Sequence, residues 1–171
     1  RYPEQLKSQD DPEYDKAVFE SILEIKGREE HDKLIRMLDD LNNPEVPIEE
    51  VMEKHFNLDN FLTWTAANIL MDNLDTDSSN FYLYSPLNSD TWYFLPWDYD
   101  GGWEMERDPK DADTIRNGLS RYWNSELHNR YFRKLEHVEQ LKQKMEELTS
   151  VINAERVTEL IQSYRPTVEP F

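Results

Sequence analysis

The chain is expected to fold as an α+β domain, mainly helical, with a single β-hairpin embedded between helices. Two observations predict this. Apolar residues recur at helical spacing up to His55 and again from Tyr131 onward. Between these stretches, two runs rich in aromatic residues, Phe81-Tyr-Leu-Tyr84 and Thr91-Trp-Tyr-Phe-Leu95, flank Ser85-Pro-Leu-Asn-Ser-Asp90, which has the chemistry of a turn. Helices segregated around one antiparallel pair make an α+β arrangement.

The elements follow in order. Tyr14, Val18, Ile22 and Ile25 mark one face of a first helix that Gly27 can stop. Leu34, Met37, Leu38 and Leu41 mark a second, ended by Asn42-Asn43-Pro44. Pro47 opens a third, with Ile48, Val51, Met52 and His55 on one side. His55 reads as a packed or surface histidine, because the nearest other histidine is His31 and no ligand spacing joins them. Asp59 can cap a fourth helix reaching about Met71, apolar around so much of its circumference that it belongs at the centre of the core. After Trp103 a polar, acidic stretch to about Leu119 reads as an exposed loop. Tyr131, Leu135, Val138, Leu141, Met145 and Leu148 form one long seam, too short to be a coiled coil on its own. Val157, Leu160, Ile161 and Tyr164 form a last helix before Pro166.

Composition narrows the function classes. With 171 residues the chain is one domain or a large piece of one, and Arg1 in place of Met leads us to expect a processed or cut polypeptide. Nineteen basic residues against 36 acidic ones give a net charge of −17, which repels nucleic-acid backbones; it reads first as a solvated acidic surface, and alternatively as attraction for a basic protein partner or cations. No apolar run is long enough to span a membrane. Cysteine is absent, which removes disulfides, thiol chemistry and cysteine-ligated metals. Twelve per cent aromatic residues, five of them Trp, indicate a folded chain despite the charge.

The chemistry concentrates in Asp75-Thr-Asp-Ser-Ser-Asn80 and in Pro96-Trp-Asp-Tyr-Asp-Gly-Gly102. Phosphoryl transfer needs a carboxylate to accept a hydroxyl proton, and an Asn with an Asp to hold the metal ions that neutralise the phosphates. Asp75 and Asn80 stand five residues apart after an apolar helix and before a strand, the spacing of a kinase catalytic loop. Asn73-Leu74 replaces the usual His-Arg. The plain alternative is a helix-ending turn held by Asx hydrogen bonds. Asp98 and Asp100 alternate at the end of the second strand, expected to be buried, where Gly101 and Gly102 allow a close turn toward Asp75. A capping role at the strand end is the alternative there.

Other chemistries fit less well. The Asp75, Asp77, Ser79 alternation resembles a calcium loop, but that loop needs Gly at its sixth and Glu at its twelfth place, where Asn80 and Pro86 stand. Four glycines, at 27, 101, 102 and 118, cannot build a dinucleotide or P-loop motif, and His31, His55, His128 and His137 make no zinc-protease spacing. Two carboxylates with Trp92, Trp97 and Trp103 could serve a glycosidase, but Trp92 and Trp97 read as core.

Asn80-Phe-Tyr-Leu-Tyr84 followed by Trp92-Tyr-Phe-Leu-Pro-Trp-Asp-Tyr-Asp100 resembles the spore coat protein H (CotH) kinase family, and the helix from Asn60 to Asp72 and the helices from Tyr131 are similar to it as well. The resemblance implies the C-terminal lobe of an atypical protein kinase. It implies transfer of phosphate from ATP, with magnesium or manganese, to Ser or Thr of spore-coat or secreted proteins, at the spore coat or cell surface. Matched by motif, Asp75 becomes the catalytic carboxylate, Asn80 and Asp98 metal ligands, and Asp100 a further carboxylate at the metal. The implied substrate is a Ser-rich, basic protein. The family's N-terminal lobe has no counterpart in the 171 residues, so this piece alone is expected to be inactive. The competing reading is a non-catalytic coat or cell-surface protein that keeps the fold.

Overall fold

A computed structural model describes residues 3–24, 26–27, 30–73, 75–77, 79–102, 122 and 125–169, with Asp77 described by its backbone alone. Ile25, Leu74, Trp103 and the polar stretch to Leu119 lie outside them. The described residues form helices α1 (Lys16–Ile22), α2 (Asp32–Asn42), α3 (Ile48–His55) and α4 (Leu58–Leu70), a 3-10 turn (Asp75–Asp77), strands β1 (Phe81–Tyr84) and β2 (Tyr93–Pro96), and helices α5 (Glu126–Tyr131), α6 (Leu135–Val151) and α7 (Ala154–Val168). The fold is mainly helical with one small antiparallel sheet, as the sequence predicts.

α4 is the central element, packed chiefly against α6 and β2. Its first turn is capped by the Asn57 side chain, which accepts from the Asn60 amide at 2.8 Å. Asp59, the predicted cap, lies one turn position inside the helix and pairs instead with Lys144 of α6 at 2.7 Å. Phe61 of α4 is fully buried in a ring cluster with Phe94, His128, Tyr131 and Phe132, centroids 5.0–5.9 Å away. Trp64, one turn on, stacks on Phe94 at 4.7 Å.

The hairpin pairs in the register Phe81↔Pro96, Tyr82↔Leu95, Leu83↔Phe94, Tyr84↔Tyr93. β2 begins two residues later than the sequence predicts and includes Pro96, which a two-stranded sheet tolerates because each strand is an edge. The strand is not buried throughout: only Phe94 is, while Leu95 and Trp97 are exposed. Trp97 is therefore not core. Among the described residues the helices pack on the Phe94 side of the hairpin, and away from it Trp97 meets Tyr82 edge-on at 5.2 Å. Trp92 does pack against the core, under the Lys33 side chain.

The third predicted face is buried as a set, Ile48, Val51, Met52 and His55, and His55 packs with its Nε2 2.7 Å from Asp40. Leu34, Met37 and Leu41 of α2 are buried too, with Leu38 partly so. Three further expectations fail. In α1, Phe19 is buried while Val18 and Ile22 are exposed, because the helix begins at Lys16 and presents the opposite side to His31. The long seam is interrupted between Tyr131 and Leu135, so Leu135 turns outward and His137 takes the inner place. α7 runs through Pro166 instead of ending before it; the proline falls near the helix end and removes a single donor there.

Two outcomes follow from this core. Phe61→Ala should lower stability by about 3–5 kcal/mol, whereas Leu87→Ala, at an exposed loop position, should stay within about 0.5 kcal/mol, both read from urea unfolding. His128 is buried and its pKa is pushed down from 6.5 to about 4 by loss of water. A base held neutral in the fold but protonated when unfolded contributes stability present above pH 6.5 and lost as pH falls toward about 4. His128→Phe should flatten that part of the stability–pH curve.

Candidate functional site

The end of α4 sets the first half of the site. Asp72 turns left-handed at φ 54° just past the helix, and the amide of Asn73 bonds back to the Asn68 carbonyl at 2.9 Å. Thr76 donates to the Asn73 carbonyl at 3.1 Å, and Ser79 donates twice to the Asp75 carbonyl, from its amide and its hydroxyl, each at 3.2 Å. The turn is thus held by main-chain acceptors. The Asp75 carboxylate itself takes no hydrogen bond from the described residues and stands exposed.

The hairpin supplies the second half. Asparagine 60 grips β2 from α4: its Oδ1 accepts the Phe94 amide at 2.7 Å and its Nδ2 donates to the Phe94 carbonyl at 3.2 Å. Trp92 joins the same corner through main-chain bonds with His55 and Asn57. Because Phe81 pairs with Pro96, Asn80 just before β1 and Asp98 just after β2 leave the hairpin at the same end. Asn80 and Asp98 both have positive φ, 59° and 55°. With Asp72, three residues before Asp75, they are the non-glycine residues in this conformation among the described residues. Backbone of that kind is uncommon and concentrates at functional sites, although Asn and Asp carry it more readily than other residues.

Asp75 meets the hairpin at Gly101. A Cβ built there would lie 2.9 Å from Asp75 Oδ2, so only glycine leaves room for the carboxylate in this position. At Gly102 a Cβ would lie 3.2 Å from the Tyr99 carbonyl and 3.4 Å from that of Met71, which seats the turn on the end of α4. The Asp98 carboxyl is held above the ordinary range, first by the charge of Asp100, then by partial loss of water and a hydrogen bond with Asp100, and last by Asp75. The three carboxylates therefore share one electrostatic neighbourhood.

Hard oxygen donors crowded by like charge suit a magnesium or manganese ion, which is bound through one or two carboxylates together with phosphate oxygens and water. The donor set fits on chemistry. It is not a closed protein cage: among the described residues, the carboxylate or imidazole triad whose ligand atoms all lie within 4.8 Å of one another is Glu49, Glu136 and His137, elsewhere in the fold. Behind the site, Tyr122 donates its hydroxyl to the Asp72 carboxylate. Burial raises the pKa of Tyr99, with Asn68 pulling the other way. Asn73 is fully buried, and its side-chain Oδ1 and Nδ2 find no hydrogen-bond partner among the described residues.

The CotH kinase protein family model matches residues 2–171. The chain belongs to this family. The inner spore coat protein H of Bacillus subtilis (strain 168) is 29% identical over 94 residues, a stretch covering 53% of this chain and 26% of that protein, so the match spans about a quarter of the relative's length. No solved structure matches.

Sequence reasoning missed Asn60, Asn73 and Tyr122. An amide in the first turn of an otherwise apolar helix was the available signal for Asn60. Nothing in the spacing marks Tyr122, which reaches Asp72 only through the tertiary fold.

The two glycines should respond differently to a methyl group. Gly101→Ala pushes against the far end of a side chain, so stability should stay within about 0.5 kcal/mol while the carboxyl carbon signal of Asp75 shifts in NMR. Gly102→Ala pushes against two backbone carbonyls and should cost more in the same unfolding assay.

Proposed function

We propose that this chain is the catalytic lobe of an atypical protein kinase that transfers phosphate from ATP to Ser or Thr of a spore-coat or secreted protein. The observation that carries this is the meeting of Asp75, at the end of α4, with the Asp98–Gly102 turn, through a glycine contact and shared carboxylate repulsion. Family membership supports the activity class. The Bacillus relative's name supports placement at the spore coat, a location we extend to this chain as part of the proposal.

In this reading a bound magnesium or manganese nucleotide supplies the electrophilic phosphoryl group and neutralises its charge. Asp75 orients the substrate hydroxyl and accepts its proton, for which an exposed carboxylate with no hydrogen-bond donor among the described residues is suited. Asn80 and Asp98 offer oxygens to the metal from positions fixed by their left-handed backbone. Asp100 adds charge at the same place. The −17 net charge favours a basic substrate segment with serines in it. Among the described residues no helix is long and apolar enough to cross a membrane.

A second reading, a coat protein that keeps the fold without catalysis, is favoured by the open donor set, since the three carboxylates do not close into a tight triad. One experiment separates the two. Transfer of labelled phosphate from ATP to a Ser-rich basic peptide is measured with the full-length protein carrying this chain, its Asp75→Asn form and its Asp98→Asn form. Folding is checked by circular dichroism. The expected outcome is transfer by wild type, loss of at least 100-fold in Asp75→Asn, on the order of a general base's contribution, and weaker metal-dependent nucleotide binding in Asp98→Asn. Robust transfer by folded Asp75→Asn would reject the base assignment. No transfer and no nucleotide binding by wild type would favour the scaffold.

A further inference from the structure

A second group of metal-ligating side chains stands outside the hairpin, on elements that contribute nothing to it. Glu49 lies in the first turn of α3, and Glu136 and His137 lie in the first turn of α6. One ligand atom from each falls within 4.8 Å of the others. His137 is buried, stacked face to face on Tyr131 at 4.0 Å, while Glu136 is mostly exposed and Glu49 about half so.

The imidazole is locked in one tautomer. Its Nδ1 lies 2.7 Å from the Tyr131 carbonyl, which can only accept, so the proton is on Nδ1. Its other nitrogen, Nε2, points toward the carboxylates of Glu49 and Glu136, an arrangement that a shared cation can bridge. Nε2 is 3.4 Å from Glu49 Oε1 and 3.7 Å from Glu136 Oε1. Both distances exceed those of good hydrogen bonds. They are close to the edge of a tetrahedron around zinc, about 3.3–3.6 Å for metal–ligand bonds of about 2.0–2.2 Å. A metal-binding histidine characteristically donates its other ring N–H to a backbone carbonyl, as His137 does. Carboxylates in the first turn of a helix are common for the sake of the helix dipole alone, but that role does not require a buried imidazole aimed between them.

We propose that Glu49, Glu136 and His137 form a zinc site with its fourth position open to solvent. Ligand type selects zinc over magnesium or calcium, since a buried imidazole nitrogen suits a borderline-soft ion and is not a ligand that the harder ions favour. Glu136, mostly exposed, leaves the group open to solvent on its side, and a cavity lined by Glu49, Lys134, Arg130 and Arg133 adjoins it at Glu49. Lys134 pairs with Glu49 Oε1 and competes for that oxygen. An ion here would clamp the start of α3 to the start of α6, joining positions 49 and 137.

The test uses the metal alone. The chain, freed of metal with a chelator, is titrated with cobalt(II) and then with zinc(II), while the visible bands of four-coordinate cobalt are followed and the fold is checked by circular dichroism. One four-coordinate cobalt per chain is expected, displaced by zinc. Glu136→Gln, an exposed change, and Glu49→Gln should each weaken cobalt binding on the order of 10-fold or more. Lys134→Met should strengthen it, because the competing ammonium is gone. The double variant Asp98→Asn, Asp100→Asn should leave the bands and the affinity unchanged. Absence of the cobalt bands in the folded wild-type chain overturns the site, as does equal affinity in wild type, Glu49→Gln and Glu136→Gln, or loss of the bands in the hairpin variant.

Discussion

The arrangement of this fold depends on the side-chain amide of Asn60. A β-strand that borders a helix has backbone groups with no ladder partner, and leaving them buried and unsatisfied is costly. Asn60 answers both groups of Phe94 at once, one as acceptor and one as donor. The amide thus stands in for a neighbouring strand, and β2 is held to α4 in a single register. Phe94 then fits between Phe61 and Trp64, and its ring seals the contact that the amide begins. Lys33 secures the far end of the hairpin by donating to the Pro86 carbonyl at 2.7 Å.

This docking explains how two distant parts of the chain come to share one place. Asp75 leaves from the C-terminal end of α4, and Asp98 and Asp100 leave from the strand that α4 holds. One helix therefore sets the position of both, and neither long loops nor large rearrangements are needed. Charge repulsion among the carboxylates, and the left-handed backbone at Asn80 and Asp98, are unfavourable in the isolated fold. Local conflict of this kind, inside a structure that is otherwise consistent, is where function is expected to be found.

Much of the fold was legible in the sequence. The apolar spacing of α2 and α3 marks their buried faces, and the turn residues between Tyr84 and Thr91 mark the hairpin. Short elements were less legible. α1 has seven residues, too few for spacing alone to choose between the Val18 and Phe19 sides, and contact with His31 decides it. The Tyr131–Leu148 seam reads as continuous because periodicity cannot register a break at Phe132–Lys134 that preserves the count of apolar residues. At the site, residue types and spacing named Asp75, Asn80, Asp98 and Asp100, and the structure places the three carboxylates within electrostatic reach of one another. The roles of Asn60 and Tyr122 were not legible, since both act on partners at least 34 residues away.

α7 has no buried residue, yet Val157, Leu160, Ile161, Tyr164 and Val168 recur along it at helical intervals. A helix of 15 residues that buries none of its side chains fully, with only Val157 half-buried, is near the length at which helices in water are only marginally stable. Its amide protons should therefore exchange with solvent far sooner than those of α4, by opening that leaves the rest of the domain intact. The molecule then has two tiers of cooperativity: a central unit organised by α4, and a C-terminal segment whose order is decided separately. A protease added to the native protein would meet the second tier first and trim it back toward Asn153, leaving the unit that carries both candidate metal sites.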